Sequence, residues 1–236
     1  MSFDNQAAWL AKVGARFEVQ KADVGQPGSG ELLIKNHAVA INPVDAIMQD
    51  QGMFVENWPV IVGEDLAGEV AAVGPDVKGF QVGQRVLAHP LGLATKKNTE
   101  NAFQNYTLVQ AAATSPIPDN VSFEAASALP LSLSTAAHGL YGKDFLKLPY
   151  PSNKPHKTGE TILIWGGSSS VGAAAIQLAK GSGLEVITTA SKHNFDFVKG
   201  LGPDEVFDYS NPGIVGDIVS YVKDKKFVGA LDGKLP

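Results

Sequence analysis

Gly166, Gly167, Ser168, Ser169, Ser170 and Gly172 make a run of small residues between an apolar stretch, Thr161-Ile-Leu-Ile-Trp165, and a helix-forming one, Ala173-Ala-Ala-Ile-Gln-Leu-Ala-Lys180. A strand, a tight turn and a helix in that order present backbone N–H groups to an anion, because first-turn amides have no intrahelical acceptor and the helix dipole favours negative charge there. Small side chains leave room for a dinucleotide pyrophosphate to approach. The residues expected to meet it are Gly167, Ser168, Ser169, Ser170, Val171 and Gly172. Ser169 stands where the G-x-G-x-x-G pattern has its second glycine, so context carries the reading: Leu184 to Thr189 follows at the interval a βαβ unit requires, and Glu205-Val-Phe-Asp208 comes after another helical stretch. No Gly-Lys-Ser/Thr closes the turn, which argues against a nucleoside-triphosphate P-loop.

The end of the second strand selects between dinucleotides. An NAD-preferring site places Asp or Glu there to accept from the ribose 2′-OH. This chain has Ser191, Lys192, His193 and Asn194. Serine and asparagine donate to a 2′-phosphate, and lysine supplies a positive charge with no sequence-adjacent carboxylate to repel the anion. The expected cofactor is NADPH.

The elements that must hold these residues divide the chain. Up to about residue 130 it reads as β-rich: Phe17 to Val19, Glu31 to Lys35, Val39 to Ile41, Asp65 to Gly74, Gly83 to Leu87 and Ala102 to Val109, punctuated by Gly and Pro, predict a partly closed β-barrel. Phe123 to Leu129, capped by Ser122, and Ser132 to Tyr141 read as helices. A proline-bearing connection follows, then the turn described above, a helix over Pro212 to Val222 and a fourth strand over Lys226 to Asp232. The expected domains are 1–130 (barrel), 131–160 (interdomain helix and linker) and 161–236 (dinucleotide-binding). Four parallel strands stand against about six in a complete doubly wound sheet. The fold class is therefore α/β, a barrel plus an incomplete Rossmann sheet, with an open edge at Phe227 to Leu231 that invites a second copy or a partner chain.

Composition narrows the class. The 236 residues carry a net charge of −5, which argues against a general nucleic-acid partner. No apolar run of membrane-spanning length occurs, and Met1 to Gln6 lacks the basic start and apolar block of a secretory signal, so a soluble cytoplasmic protein acting on a small molecule is expected. Cysteine is absent and the five histidines lack ligand spacing, so no metal site is expected.

Several segments together resemble the zinc-independent branch of the medium-chain dehydrogenase/reductase superfamily, its quinone-oxidoreductase and fungal trans-enoyl-reductase members. They are Asn42-Pro-Val-Asp45, Gly63-Glu-Asp-Leu-Ala-Gly-Glu-Val70, Leu129-Pro-Leu-Ser-Leu-Ser-Thr-Ala136, the 166–172 turn, Thr188 to Asp196 and Val206-Phe-Asp-Tyr209. The resemblance implies a GroES-like barrel and hydride transfer from NADPH to an activated C=C or a quinone. It places Val44, Asp45, Ala46 and Ile47 beside the nicotinamide or its ribose, Thr135 at the nicotinamide amide and Tyr209 near the adenosine. Asp45, Glu64 and Asp65 stand in the neighbourhood where zinc-dependent relatives have metal-ligating cysteine and histidine. Where several members carry a tyrosine, lysine or arginine, this chain has Ile47 and Gln49, so no catalytic residue is assigned. Met53, Phe54, Trp58 and Tyr106 are pocket-lining expectations. The competing reading is an NADPH-binding protein with impaired turnover, acting by binding or regulation.

Overall fold

A computed structural model describes residues 4–233; Met1 to Phe3, the start of the N-terminal segment read above, and 234–236 lie outside the described residues. The chain forms two compact units divided between Leu131 and Ser132.

The first unit is antiparallel. Strands β1 (Gln6–Leu10) and β2 (Glu18–Lys21) lead to β3 (Glu31–Ala40), helix α1 (Pro43–Gln51) and β4 (Val60–Ile61). Then come β5 (Asp65–Val73), β6 (Arg85–Ala88), α2 (Gly92–Thr95), β7 (Tyr106–Gln110), β8 (Thr114–Pro116) and α3 (Phe123–Ser127), with α4 (Pro130–Tyr141) beginning here. One sheet has the order β7-β3-β5-β6-β8, the other β2-β1-β4. A bridge from Ala7 to Gln104 ties them. Leu32, Ile34, Leu66, Val70, Val86 and Val109 form the main core, filled by alternate positions of β3, β5 and β6 as the period of a strand requires.

Two sequence expectations change here. Glu31–Lys35 and Val39–Ala40 are one strand: the register shift at Leu33/Ile34 leaves Ala71 of β5 unpaired, and that at Asn36/Ala38 leaves His37 of β3 unpaired and breaks the alternation that marks a single strand. Residues 102–105 precede β7 instead of opening it, because Ala102 and Phe103 donate their N–H groups to Gly63 and Val62 rather than to a strand partner.

The second unit is a parallel sheet with order β11-β10-β9-β12. Its strands are β9 (Glu160–Trp165), β10 (Glu185–Ala190), β11 (Glu205–Asp208) and β12 (Lys226–Asp232); its further helices are α5 (Ser170–Gly181), α6 (Phe195–Gly200) and α7 (Ile214–Val222). Ile162, Ile164, Ala175, Ile176, Ala179 and Val186 are buried together, because the small residues on one face of α5 let it lie close on β9 and β10. Ile187, Ile214 and Ile218 form a second cluster with Leu163 and Phe207, where α7 covers the sheet. Having helical cover, β10 is almost wholly buried, which explains its continuous apolar run.

Candidate dinucleotide-binding site

The turn from β9 into α5 is built by three glycines with separate tasks. Gly166 has φ +76°, and its N–H is held by Thr189 Oγ1 at 2.9 Å. A Cβ on Gly167 would lie 2.2 Å from Thr188 Oγ1, so only glycine lets the turn pass over β10. A Cβ on Gly172 would lie 2.3 Å from the Gly166 carbonyl, so only glycine lets the helix start this close to the turn. Ser169 is the N-cap of α5: its hydroxyl accepts from Gly172 N–H at 2.9 Å and donates to Gly233 O at 2.8 Å. That serine is thus committed to the cap. The exposed Ser170 and half-buried Val171 occupy the first two helical positions, whose N–H groups have no acceptor within the helix. Ser168 is half-buried on the same turn. Gly167 and Gly172 set the path of the turn, and the first-turn amides it leads to, Ser170 and Val171 N–H, are donors that suit a pyrophosphate.

At the C-terminal end of β10, Lys192, His193 and Asn194 form a short 3-10 turn with Ser191 at its N-terminal boundary. Asn194 Nδ2 donates to Ser191 Oγ at 3.3 Å. Lys192 is 83% exposed, with Nζ 3.7 Å from Asp208 Oδ2. The sequence reading found no carboxylate beside the lysine in the chain, and the sheet supplies one: β10 and β11 are parallel neighbours with Ala190 opposite Asp208. Ser210 donates to Asp208 through its hydroxyl and its N–H at 2.7 and 2.9 Å, and with the Lys192 charge this holds the Asp208 carboxyl below its ordinary range. Tyr209 is half exposed at the end of β11, tied by its N–H to Ala190 O.

In the first unit, Asn42-Pro-Val-Asp45 is the start of α1, a helix the sequence reading did not mark. Its signals are legible: asparagine at the N-cap, proline at the first helical position and an acid at the third. Asp45 Oδ2 accepts the Asn42 N–H at 2.7 Å, while the Asn42 amide reaches away to Asp65 Oδ2 at 2.9 Å. The Asp45 side chain is only 3% exposed. What α1 offers a ligand is therefore the exposed Ala46 and half-buried Val44 and Ile47. Gln49 is occupied by Ala15 O at 2.9 Å. Thr135 is an exposed position of α4.

Asp45, Glu64 and Asp65 are all buried, an arrangement the sequence reading missed. Asp65 Oδ1 accepts the Leu131 N–H at 2.6 Å, capping the first turn of α4 from a distant strand. Glu64 Oε2 lies 3.6 Å from His89 Nε2. Burial, with the Glu64 and Asp65 charges adding to it, pushes the Asp45 carboxyl up to about 6. Burial also raises Asp65 above the ordinary carboxylate range, against the hydrogen bonds from Asn42 and Leu131. Among the described residues no group of three or more His, Cys, Asp or Glu is arranged to hold a metal ion.

Of the other pocket expectations, Phe54 lines a cavity of about 40 Å³ with Met48, Val55, Val60 and Leu93. Trp58 packs against the core of Leu10, Met48 and Val62, and Met53 is exposed. Tyr106 opens β7. Among the described residues, no helix is long and apolar enough to cross a membrane.

Residues 28–119 match the alcohol dehydrogenase GroES-like domain. The chain is 42% identical to dehydrogenase orsE of Emericella nidulans, over 97% of this chain and 70% of that protein. It is 44% identical to the trans-enoyl reductase himH of Aspergillus japonicus, over 96% of this chain and 66% of the relative. The chain spans about two thirds of the length of the curated relatives it matches. An alcohol dehydrogenase superfamily protein from Novosphingobium aromaticivorans superposes with TM-score 0.80 at 29% identity, covering 97% of this chain and 65% of that one. A mycobacterial protein solved with NADPH gives TM-score 0.67 at 28% identity, covering 93% and 63%. A GroES-like barrel followed by a parallel β11-β10-β9-β12 sheet, with relatives of this identity and coverage, places the chain in the medium-chain dehydrogenase/reductase superfamily.

Proposed function

We propose that the chain is an NADPH-dependent oxidoreductase that reduces an electron-poor C=C or a quinone. The observation that carries this is the N-terminus of α5, where a glycine-built turn leads from β9 into a helix whose first residues, Ser170 and Val171, carry N–H groups with no acceptor within the helix. Bound there, the nicotinamide supplies a hydride for the β-carbon of the acceptor, and the α-carbon takes a proton. The task of this site is to position: Ser170 and Val171 N–H groups hold the pyrophosphate, aided by the turn from Gly167 to Gly172. Ser191, Lys192, His193 and Asn194 grip the 2′-phosphate, with Tyr209 flanking the adenosine. The Lys192 pairing with Asp208 is long and the lysine itself is exposed, so its ammonium is free to turn toward an arriving phosphate dianion. The family resemblance assigns Val44, Ala46 and Ile47 of α1 to the nicotinamide ribose, with Asp45 capping the helix start, and assigns Thr135 of α4 to the nicotinamide amide. The likeness to a relative named a trans-enoyl reductase and to a structure holding NADPH supports the choice of acceptor and cofactor.

The experiment is a fluorescence titration with NADPH followed by an oxidation assay. Binding with turnover of enoyl thioesters or enones is the expected result. Binding without turnover on these or on quinones would favour the non-catalytic NADPH binder, and no binding at millimolar cofactor would remove the proposal.

A further inference from the structure

We propose that Asp208 determines how strongly the adenosine end of this site prefers NADPH: fixed at the end of β11, its carboxylate competes with an incoming 2′-phosphate for Lys192 and so limits the advantage of NADPH over NADH. The assignment rests on the proposed function, whereas the pairing belongs to the fold itself. The ends of β10 and β11 run side by side, with Ala190 opposite Asp208 and the Tyr209 N–H donating to Ala190 O at 3.3 Å. The Asp208 side chain is then held twice more: Oδ1 accepts from the Ser210 hydroxyl at 2.7 Å and from the Ser210 N–H at 2.9 Å. That leaves Oδ2 facing Lys192, whose Nζ stands 3.7 Å away.

The two partners differ in freedom. The Asp208 side chain is 14% exposed and that of Lys192 83%. A carboxylate clamped by its own turn does not swing clear when an anion arrives, whereas a flexible four-carbon stem lets the ammonium turn from one anion to the other. The bonds from Ser210, with the Lys192 charge, hold the Asp208 carboxyl below its ordinary range, so it stays ionised at neutral pH. The positive charge at the end of β10 is therefore already answered. A 2′-phosphate gains Lys192 only as that lysine gives up Asp208, and a cofactor without the phosphate makes no such demand. Discrimination between the two cofactors is then the difference between two ion pairs and not the whole of one. The exposed setting keeps each pair weak, which sets the scale of the effect at a few-fold.

Asp208→Asn isolates the charge, because the amide oxygen still accepts from Ser210. In calorimetric titrations of the whole chain, NADPH should bind about three- to fivefold more tightly to Asp208→Asn than to wild type, and NADH should stay within about twofold. The fragments 2′,5′-ADP and 5′-AMP should repeat the pattern, which puts the effect at the 2′-phosphate. The gain should shrink on going to about 0.5 M salt, since exposed charges are screened. It should vanish in a Lys192→Ala background, where there is no lysine to release. Asp208→Ser, short and neutral, is the second variant and should move the ratio of the two affinities in the same direction. An unchanged ratio, an equal change for both cofactors in both variants, or a gain that persists without Lys192 would overturn the role of Asp208 and leave the dinucleotide site standing. A chain that binds neither the dinucleotides nor the fragments would remove both.

Discussion

Gly167 and Gly172 answer different atoms, and each answer is testable. Gly172→Ala drives a methyl group to 2.3 Å from a backbone carbonyl that cannot step aside, whereas Gly167→Ala meets the Thr188 side chain. Both should destabilise the sheet unit by about 1–3 kcal/mol, the usual cost of overpacking, with Gly172→Ala the worse. Urea unfolding followed at Trp165 would show it. Pairing Gly167→Ala with Thr188→Ala should recover part of the loss. Lys192 belongs to the same level of detail: Lys192→Ala should weaken NADPH by about tenfold, as expected for one charge-assisted phosphate contact, and NADH little. Equal losses in calorimetric titrations of the two cofactors would contradict the 2′-phosphate assignment.

Helices α1 and α4 show how a short element takes its start from outside itself. Ser122 caps α3 by the local rule, its Oγ accepting from Ala125 N–H at 3.2 Å. Helix α4 instead receives the Asp65 carboxylate from a strand 66 positions away in the chain. Asp65→Ala strips the acceptor from two donors at once and should cost about 2 kcal/mol or more, read from the denaturant midpoint, while Asp65→Asn, which keeps one acceptor, should cost less. Strand β12 raises a separate matter. Among the described residues it pairs on one side only, with β9, and carries a half-exposed Phe227. We propose that this side of β12 pairs with a further strand: sedimentation would then reveal mass that grows with concentration, and Phe227→Lys should suppress it. A single species of monomer mass at every concentration would dismiss the edge as an assembly site.

The two units, taken across the whole chain, should respond to pH in opposite senses. Asp45 is raised from 3.8 to about 6, so its contribution is complete below the unfolded value and is lost as pH climbs through the folded one, about 3 kcal/mol in all. Asp208, held down by Ser210 and Lys192, contributes above its unfolded value and loses that on acidification. Glu185 follows Asp208: burial raises it, but bonds from Lys225, Thr161 and Tyr221 outweigh burial and lower it. Trp9 and Trp58 report the barrel unit and Trp165 the sheet unit. Single-tryptophan variants should show the barrel gaining stability between neutral and mildly acid pH while the sheet unit declines at lower pH. The strands flanking the 166–172 turn, the β12 segment and the small-residue turn could be read directly from the chain, since period, propensity and glycine spacing are local properties. Helix α1 is equally legible in its asparagine N-cap and its proline at the first helical position. Neither the carboxylate beside Lys192 nor the burial of three acids could be read in that way. Asp208 reaches Lys192 only because parallel strands align in register, and Glu64, in the bend before β5, and Asp65, its first residue, are both enclosed by groups distant in the chain. Residue order settles the local conformations; which charges lose their water, and which distant groups then answer them, is decided when sheets and helices pack.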